Sequence, residues 1–193
     1  APAEAIRAGI EGAAPVRGRG VVVRGERGVT VIDDTYNSNP TSAAAAIETL
    51  RALPGNGRRV AVLAEMLEMG EAAERVHRAV GRAAAASGVD LLVCVGEHAR
   101  AMREGAIEAG LPPRRVLAME SVERLLEQVW AIVGRGDRVL VKGSRGMRME
   151  RVVERLSRPG AGYGVPQAGD HGAATTTTST STRDDTAGGV DAV

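Results

Sequence analysis

Residues 31–40, VIDDTYNSNP, run from an apolar stretch through two acids into Tyr36, two asparagines and a proline. The apolar stretch has the character of a strand end. Asn39 followed by Pro40 suits a helix N-cap with proline in the first helical position. The next residues, SAAAAIETLRAL (42–53), are rich in strong helix formers, and Pro54, Gly55 and Gly57 end the run. One short stretch therefore hands a strand over to a helix. The cap accounts for Asn39 and Pro40 but not for Asp33, Asp34 or Asn37. Neighbouring strand residues alternate faces, so one acid is expected toward a crevice and the other toward a helix-covered side.

The same handover recurs along the chain. Upstream, VVVRGERGVTVID (21–33) reads as two short strands around a charged, glycine-containing turn. Downstream, strands RRVAVLA, DLLVCVG, RRVLAM and DRVLVKG alternate with helices EAAERVHRAVGRAAAA, EHARAMREGAIEAG, SVERLLEQVWAIV and MRMERVVERL. Each strand is a short, continuous apolar run, as strands buried on both faces are. Alternation of this kind implies right-handed crossovers. The expected fold is α/β: a Rossmann-like, doubly wound, mostly parallel sheet of about six strands, helices on both faces, and an antiparallel edge strand from the first hairpin.

Residues 1–19 read as a lead-in, a short helical piece (AEAIRAGIEGA) and then PVRGRG, before a domain spanning 20–156. From 157 to 193 the chain turns Gly- and Pro-rich and then low in complexity (ATTTTSTSTRDDTAGG). That composition buries too little apolar surface to offset chain entropy, and a disordered tail is expected. His171 falls there and is given no role.

Composition narrows the function classes. The chain has 193 residues, a formal net charge of +1, 2% aromatic residues and no Phe. That balance gives no electrostatic case for nucleic acid and no base-stacking platform. The core must come from Val, Leu, Ile, Ala and Met. A single cysteine, Cys94 in LLVCV, excludes an internal disulfide and a cysteine-based zinc site, and reads as a buried, inert thiol. No apolar run approaches the ~20 residues that span a bilayer, and no secretory signal is evident, so no membrane insertion and a cytoplasmic location are expected.

In open α/β sheets ligands bind beyond the carboxyl ends of the strands. Four such ends carry polar residues: Asp33–Asn39; AEMLEMGE with Glu65, Glu68 and Glu71; GEH at 96–98; and VKGSRGMRME with Lys142, Ser144 and Arg145. The KGSRG turn before a helix expected near Met147 reads as an anion site suited to a carboxylate or phosphate, or else as solvated charge. Gly96, Glu97 and His98 read as a helix start without chemistry, and His77 as a packing histidine. No G-x-G-x-x-G follows the first strand and no G-x-x-x-x-G-K-[ST] occurs, so neither a dinucleotide fingerprint nor a P-loop is present in this sequence.

Four strings, PVRGRG, VIDDTYNSNPTSAAAAIETL, RRVAVLAEMLEMGEAAERVH and VLVKGSRGMRMERVVERL, occur in the order and spacing of one family. Over roughly residues 3–156 the chain resembles the C-terminal domain of the Mur ligases. D-x-Y-N-x-N-P together with K-G-S-R points within it to the member that adds D-Ala-D-Ala to UDP-N-acetylmuramoyl-tripeptide. The resemblance implies an ADP-forming amide ligase working through an acyl phosphate. It implies ATP and Mg2+ bound mainly by a central P-loop domain, and an N-terminal domain holding the UDP-sugar. Neither domain is in this sequence, so the chain alone is expected to be inactive, with 1–19 as the end of the central domain. By resemblance Arg19, Asp34 and Asn37 meet the nucleotide: Arg19 a phosphate or the ribose, Asp34 the ribose hydroxyls, Asn37 the adenine side. Asn39, Glu65, Lys142, Ser144 and Arg145 meet the substrate, Glu65 as partner of the incoming amine and the last three around the dipeptide carboxylate. One departure is Ala64, where the family pattern has Gly, which is expected to hold the backbone farther from a ligand. Other readings are another Mur-type or folylpolyglutamate-type ligase, a free-standing Rossmann-type nucleotide-binding protein, and an interaction module tethered by its tail.

Overall fold

The computed structural model describes residues 2–5, 7 and 16–157. The expected tail, apart from Ser157, and most of the lead-in helix lie outside them; residues 3–5 and 7 are helical. Among the described residues six strands form one sheet in the order β1-β2-β6-β3-β4-β5. They are β1 Val21–Arg24, β2 Thr30–Asp34, β3 Arg59–Ala64, β4 Leu91–Val95, β5 Val116–Met119 and β6 Arg138–Lys142. Among the described strands only the β1–β2 pairing is antiparallel, and β1 lies at the edge. All other pairings are parallel, so β2 to β6 end on the same side of the sheet.

The helices are α1 Pro40–Ala52, α2 Ala73–Ala86, α3 Ala99–Glu108, α4 Val122–Ile132 and α5 Glu150–Leu156. Alternate residues of each strand send side chains into two separate cores. One core sets Val31, Val62, Val93 and Val141 against Leu125 and Val129 of α4 and Val152 and Leu156 of α5. The other sets Ile32, Leu63, Leu92 and Leu140 against Ile47 and Leu50 of α1, Val80 of α2 and Met102 of α3. The cores hold no Phe, and fully burying each of these aliphatic side chains stabilises the fold by roughly 1.5–3 kcal/mol. The chain leaves β3, runs outward through β4 and β5, and returns to place β6 between β2 and β3. That reversal makes β2, β6 and β3 the switch point of the sheet, beside which α/β folds bind ligands.

Start and stop signals decide the helix lengths. Asn39 Oδ1 accepts from Ser42 N at 2.8 Å while Ser42 Oγ accepts from Asn39 N at 3.1 Å, a reciprocal box with Pro40 at the first position. On the same face, α2 and α3 pack backbone to backbone. A methyl group at Gly81 would collide with Met102 O, and one at Gly105 with Arg78 O. Around this seam Arg78 bonds Glu104 and Glu108, and Arg82 bonds Glu108.

One expected element differs. The helix expected near Met147 is a single 3-10 turn, Arg145–Met147, and α5 begins only at Glu150. Arg148 adopts the left-handed conformation, φ 52°, which breaks the helical run. The residues after β6 are therefore a kinked turn, without the helix start expected there to present its backbone N–H groups to an anion.

Candidate functional site

The carboxyl ends of β2, β6, β3 and β4 assemble three groups of side chains. Asp34 and Lys142 are directly paired in the β2–β6 register. Lys142, the sequence's only lysine, is 2% exposed; its Nζ donates to Asp34 Oδ2 at 2.6 Å and to Asn37 O at 2.8 Å. Strand alternation puts Asp33 on the other face, fully buried. There it accepts from Thr35 Oγ1 at 2.7 Å and from Gly18 N at 3.2 Å. Tyr36 N in turn donates to Gly18 O at 2.9 Å. The two acids thus divide the work by face: Asp33 ties the PVRGRG segment to the end of β2, and Asp34 neutralises a buried cation.

That tie positions Arg19. Its guanidinium carbon lies 4.0 Å from the centroid of the Tyr36 ring, and that of Arg145 lies 5.8 Å from it. Tyr36 is 45% exposed. Neither arginine has a carboxylate partner among the described residues. Two uncommitted guanidiniums on one exposed aromatic ring make an open cationic surface suited to a phosphate or carboxylate.

The third group lies over β3 and β4. Glu65 follows β3 and is largely buried. Its Oε1 is 2.6 Å from His98 Nδ1 and its Oε2 accepts from Glu97 N at 3.0 Å. The carboxylate rests against Gly96, φ 113°, where any side chain would meet Oε2. The His98 ring stacks on His77, centroids 4.8 Å apart. His77 is fully buried; its Nε2 accepts from Met66 N at 2.9 Å and its Nδ1 donates to Ala73 O at 2.7 Å. Burial, with a smaller contribution from His98, holds the His77 pKa below the ordinary histidine value, against the Ala73 carbonyl and Glu65. Both ring nitrogens are committed to backbone, in keeping with a packing histidine.

The expected substrate residues separate accordingly. Asn39 caps α1, and Asn37 Oδ1 accepts from Ser38 N at 2.8 Å. Ser144 is buried; its Oγ accepts from Leu67 N at 2.9 Å and its N donates to Glu65 O at 3.1 Å, holding the loop after β3. Lys142 faces Asp34, so of Lys142, Ser144 and Arg145 only Arg145 is exposed and uncommitted. Ala64 is buried, and its methyl lies against Gly143, where a second methyl would not fit. The extra carbon is thus absorbed between strands and does not project into the crevice.

Glu65, Glu97 and His98 bring three ligand-type atoms within 4.8 Å. Glu65 and His98 already spend their facing atoms on each other, so the trio is a hydrogen-bonded pair beside an exposed acid and not an assembled cation cage. Sequence reading gave Tyr36 and His98 no role. The signal for His98 was the register: Ala64 pairs with Val95, so Glu65 and the GEH turn leave the sheet side by side.

A mostly parallel sheet with a cationic surface and an acid–lysine pair at its switch point makes this an open α/β domain with a candidate anion-facing edge. The family model for the Mur ligase, glutamate ligase domain, matches residues 18–145, and the chain belongs to that family. It is 33% identical over 135 residues to the UDP-N-acetylmuramoyl-tripeptide–D-alanyl-D-alanine ligase of Bacillus subtilis, covering 70% of this chain and 29% of the relative. Among solved structures it resembles a MurF from Acinetobacter baumannii, with TM-score 0.69, 31% identity, and 81% of this chain and 34% of that one covered. It also resembles the MurF ligase of Thermotoga maritima in complex with ADP, with TM-score 0.59, 28% identity, and 75% and 31% covered. The chain spans about a third of the length of these relatives. Among the described residues no helix is long and apolar enough to cross a membrane.

Proposed function

We propose that the chain is the C-terminal domain of an ADP-forming ligase that joins D-Ala-D-Ala to UDP-N-acetylmuramoyl-tripeptide in peptidoglycan precursor synthesis. It works in the cytoplasm with an N-terminal domain that holds the UDP-sugar and a central domain that binds ATP and Mg2+. Residues 1–19 lead in from that central domain, 20–156 form the C-terminal domain, and 157–193 are a tail without a part in the chemistry. The observation that carries this reading is the match to ligases of that name over 70% or more of this chain but only about a third of theirs. The Arg19–Tyr36–Arg145 surface supports it, because it offers two guanidiniums without competing carboxylates, Arg19 for an ADP or ATP phosphate and Arg145 for the dipeptide carboxylate. Asp34 keeps its Oδ2 on Lys142 and presents its remaining lone pairs to a ribose.

In the reaction, a carboxylate of the nucleotide-linked tripeptide takes the γ-phosphoryl group of ATP. The amine of D-Ala-D-Ala attacks the acyl phosphate, and the tetrahedral adduct collapses to amide and phosphate. The test is ADP release from ATP, Mg2+, UDP-tripeptide and D-Ala-D-Ala. Turnover is expected when the chain is fused to the N-terminal and central domains, and none from the chain alone. Turnover by the chain alone, or a fusion that uses another amine in place of the dipeptide, would overturn the reading.

A further inference from the structure

Glu65 sits where an incoming amine would be expected, yet both its oxygens are occupied, Oε1 by His98 Nδ1 and Oε2 by the Glu97 N–H. An ionised carboxylate can only accept, so the proton on the short 2.6 Å contact belongs to His98 Nδ1. That places a proton on Nδ1, and in the neutral ring the other nitrogen, Nε2, carries the lone pair. Nε2 has no hydrogen-bond partner among the described residues and is not among the buried unpaired atoms, so it opens to solvent. The charged and titratable groups around the imidazole are Glu65 from the end of β3, His77 from α2 and Glu97 from its own turn. Burial disfavours the charged form of His77, whose Nε2 accepts from the Met66 N–H. The ring is thus fixed on three sides: by a buried carboxylate, by a stacked neutral ring and by its place as the residue that leads into α3. A carboxylate that orients an imidazole and leaves its far nitrogen free is the working arrangement of a general base.

Resting on the ligase reading above, we infer that His98 is the base that takes the proton from the D-Ala-D-Ala amine, with Glu65 as its positioning residue. The new bond forms between the amine nitrogen and the acyl carbon. The carbon–oxygen bond to the phosphoryl group breaks, and phosphate leaves with the electron pair. The displaced N–H proton goes to His98 Nε2 and from there to solvent. Glu65 does not touch the amine; it holds Nδ1–H and supports the imidazolium that forms.

The test uses the chain fused to its N-terminal and central domains. His98→Asn keeps a donor at the Nδ1 position for Glu65 and removes the base. Acyl-phosphate formation is read by trapping with hydroxylamine, and amide formation separately. For His98→Asn the hydroxamate signal is expected to match wild type, while amide formation at pH 7 falls about 100-fold, the lower range for loss of a general base. The deficit should shrink toward pH 9 as the free amine forms in solution. Glu65→Gln should lose about 10-fold in kcat, with the pH profile of amide formation altered and KM for ATP unchanged. Amide formation within twofold of wild type, with an unaltered pH profile, in both variants would overturn the role of His98. A wild-type fusion that yields no hydroxamate would instead sink the ligase reading itself, so the two failures are told apart.

Discussion

Lys142 Nζ lies 2.6 Å from Asp34 Oδ2, across paired positions of β6 and β2, and the two partners differ in their access to water. The Lys142 side chain is 2% exposed and that of Asp34 is 21% exposed. Removing the acid leaves a cation that water cannot reach. Removing the lysine leaves a carboxylate that can rehydrate. Asp34→Ala is therefore expected to destabilise by about 3–5 kcal/mol. Lys142→Met, which keeps the buried volume, should destabilise by only about 1–2 kcal/mol. Urea unfolding of the isolated chain measures both, and equal losses would show that the pair is not asymmetrically buried.

A second prediction concerns pH. Burial makes protonation of His77 less favourable in the folded chain than in the unfolded one. As pH falls, the unfolded chain takes up the proton first. Stability from this residue is complete above about pH 6.5, the ordinary histidine value. Below it, stability declines by up to ~1.4 kcal/mol per pH unit until the folded form also titrates. Carboxylates contribute their own acid loss, so the measure is the difference between wild type and His77→Gln. The thermal midpoint of the variant should fall less between pH 7.5 and 5.5, and parallel curves would refute the assignment.

The α2–α3 seam makes a prediction whose sign is informative. In an open helix, Gly→Ala stabilises by about 1 kcal/mol. At Gly81 and Gly105 the new methyl would strike the carbonyls of Met102 and Arg78. Each substitution is expected to destabilise by more than about 2 kcal/mol, because the helices must part to admit it. A rise in the denaturation midpoint at either site would mean that the seam is looser than described.

Cys94 is fully buried in β4, and desolvation raises its thiol pKa far above the usual value, outweighing nearby Arg103. The thiolate is the reactive form. As the chain's only cysteine, it should resist a disulfide reagent in the native state and titrate as a single thiol in denaturant. Labelling should therefore follow global unfolding. Stoichiometric reaction of the native chain within minutes would contradict that burial.

Much of this was legible in the sequence because local rules and burial agreed. Asn39 and Pro40 mark their helix start by chemistry alone, and the continuous apolar strands announced a sheet covered on both faces. What was not legible depended on contacts far apart in the chain. Lys142 reads locally as a free cation beside a glycine turn; only the return of β6 to a place next to β2 puts it against Asp34, 108 residues away. Ala64 reads as an obstruction until Gly143, just past the end of β6, is seen to make room for it. Arg148 has no sequence mark of the positive φ that delays α5. His98 reads as a helix start, which it is, and the carboxylate that orients it comes from another strand.

The last prediction separates the two arginines on Tyr36. Arg19 lies 4.0 Å over the ring and comes from the segment tied to β2; Arg145 lies 5.8 Å away and comes from the turn after β6. If Arg19 serves the nucleotide and Arg145 the dipeptide carboxylate, each substitution should move one Michaelis constant. In the fused three-domain ligase, Arg19→Ala should raise KM for ATP by about 10-fold or more, the loss of one charge-assisted hydrogen bond of roughly 1.5–3 kcal/mol. It should leave KM for D-Ala-D-Ala within twofold. Arg145→Ala should do the reverse. Tyr36→Ala removes the ring that both guanidiniums face and should raise both constants, by about 2- to 5-fold each, in line with an exposed cation–π contact of roughly 0.5–1 kcal/mol. If Arg145→Ala raised KM for ATP as much as Arg19→Ala does, the two arginines would form one phosphate clamp. The dipeptide carboxylate would then need another cation, and Lys142 is too deeply committed to Asp34 to supply it.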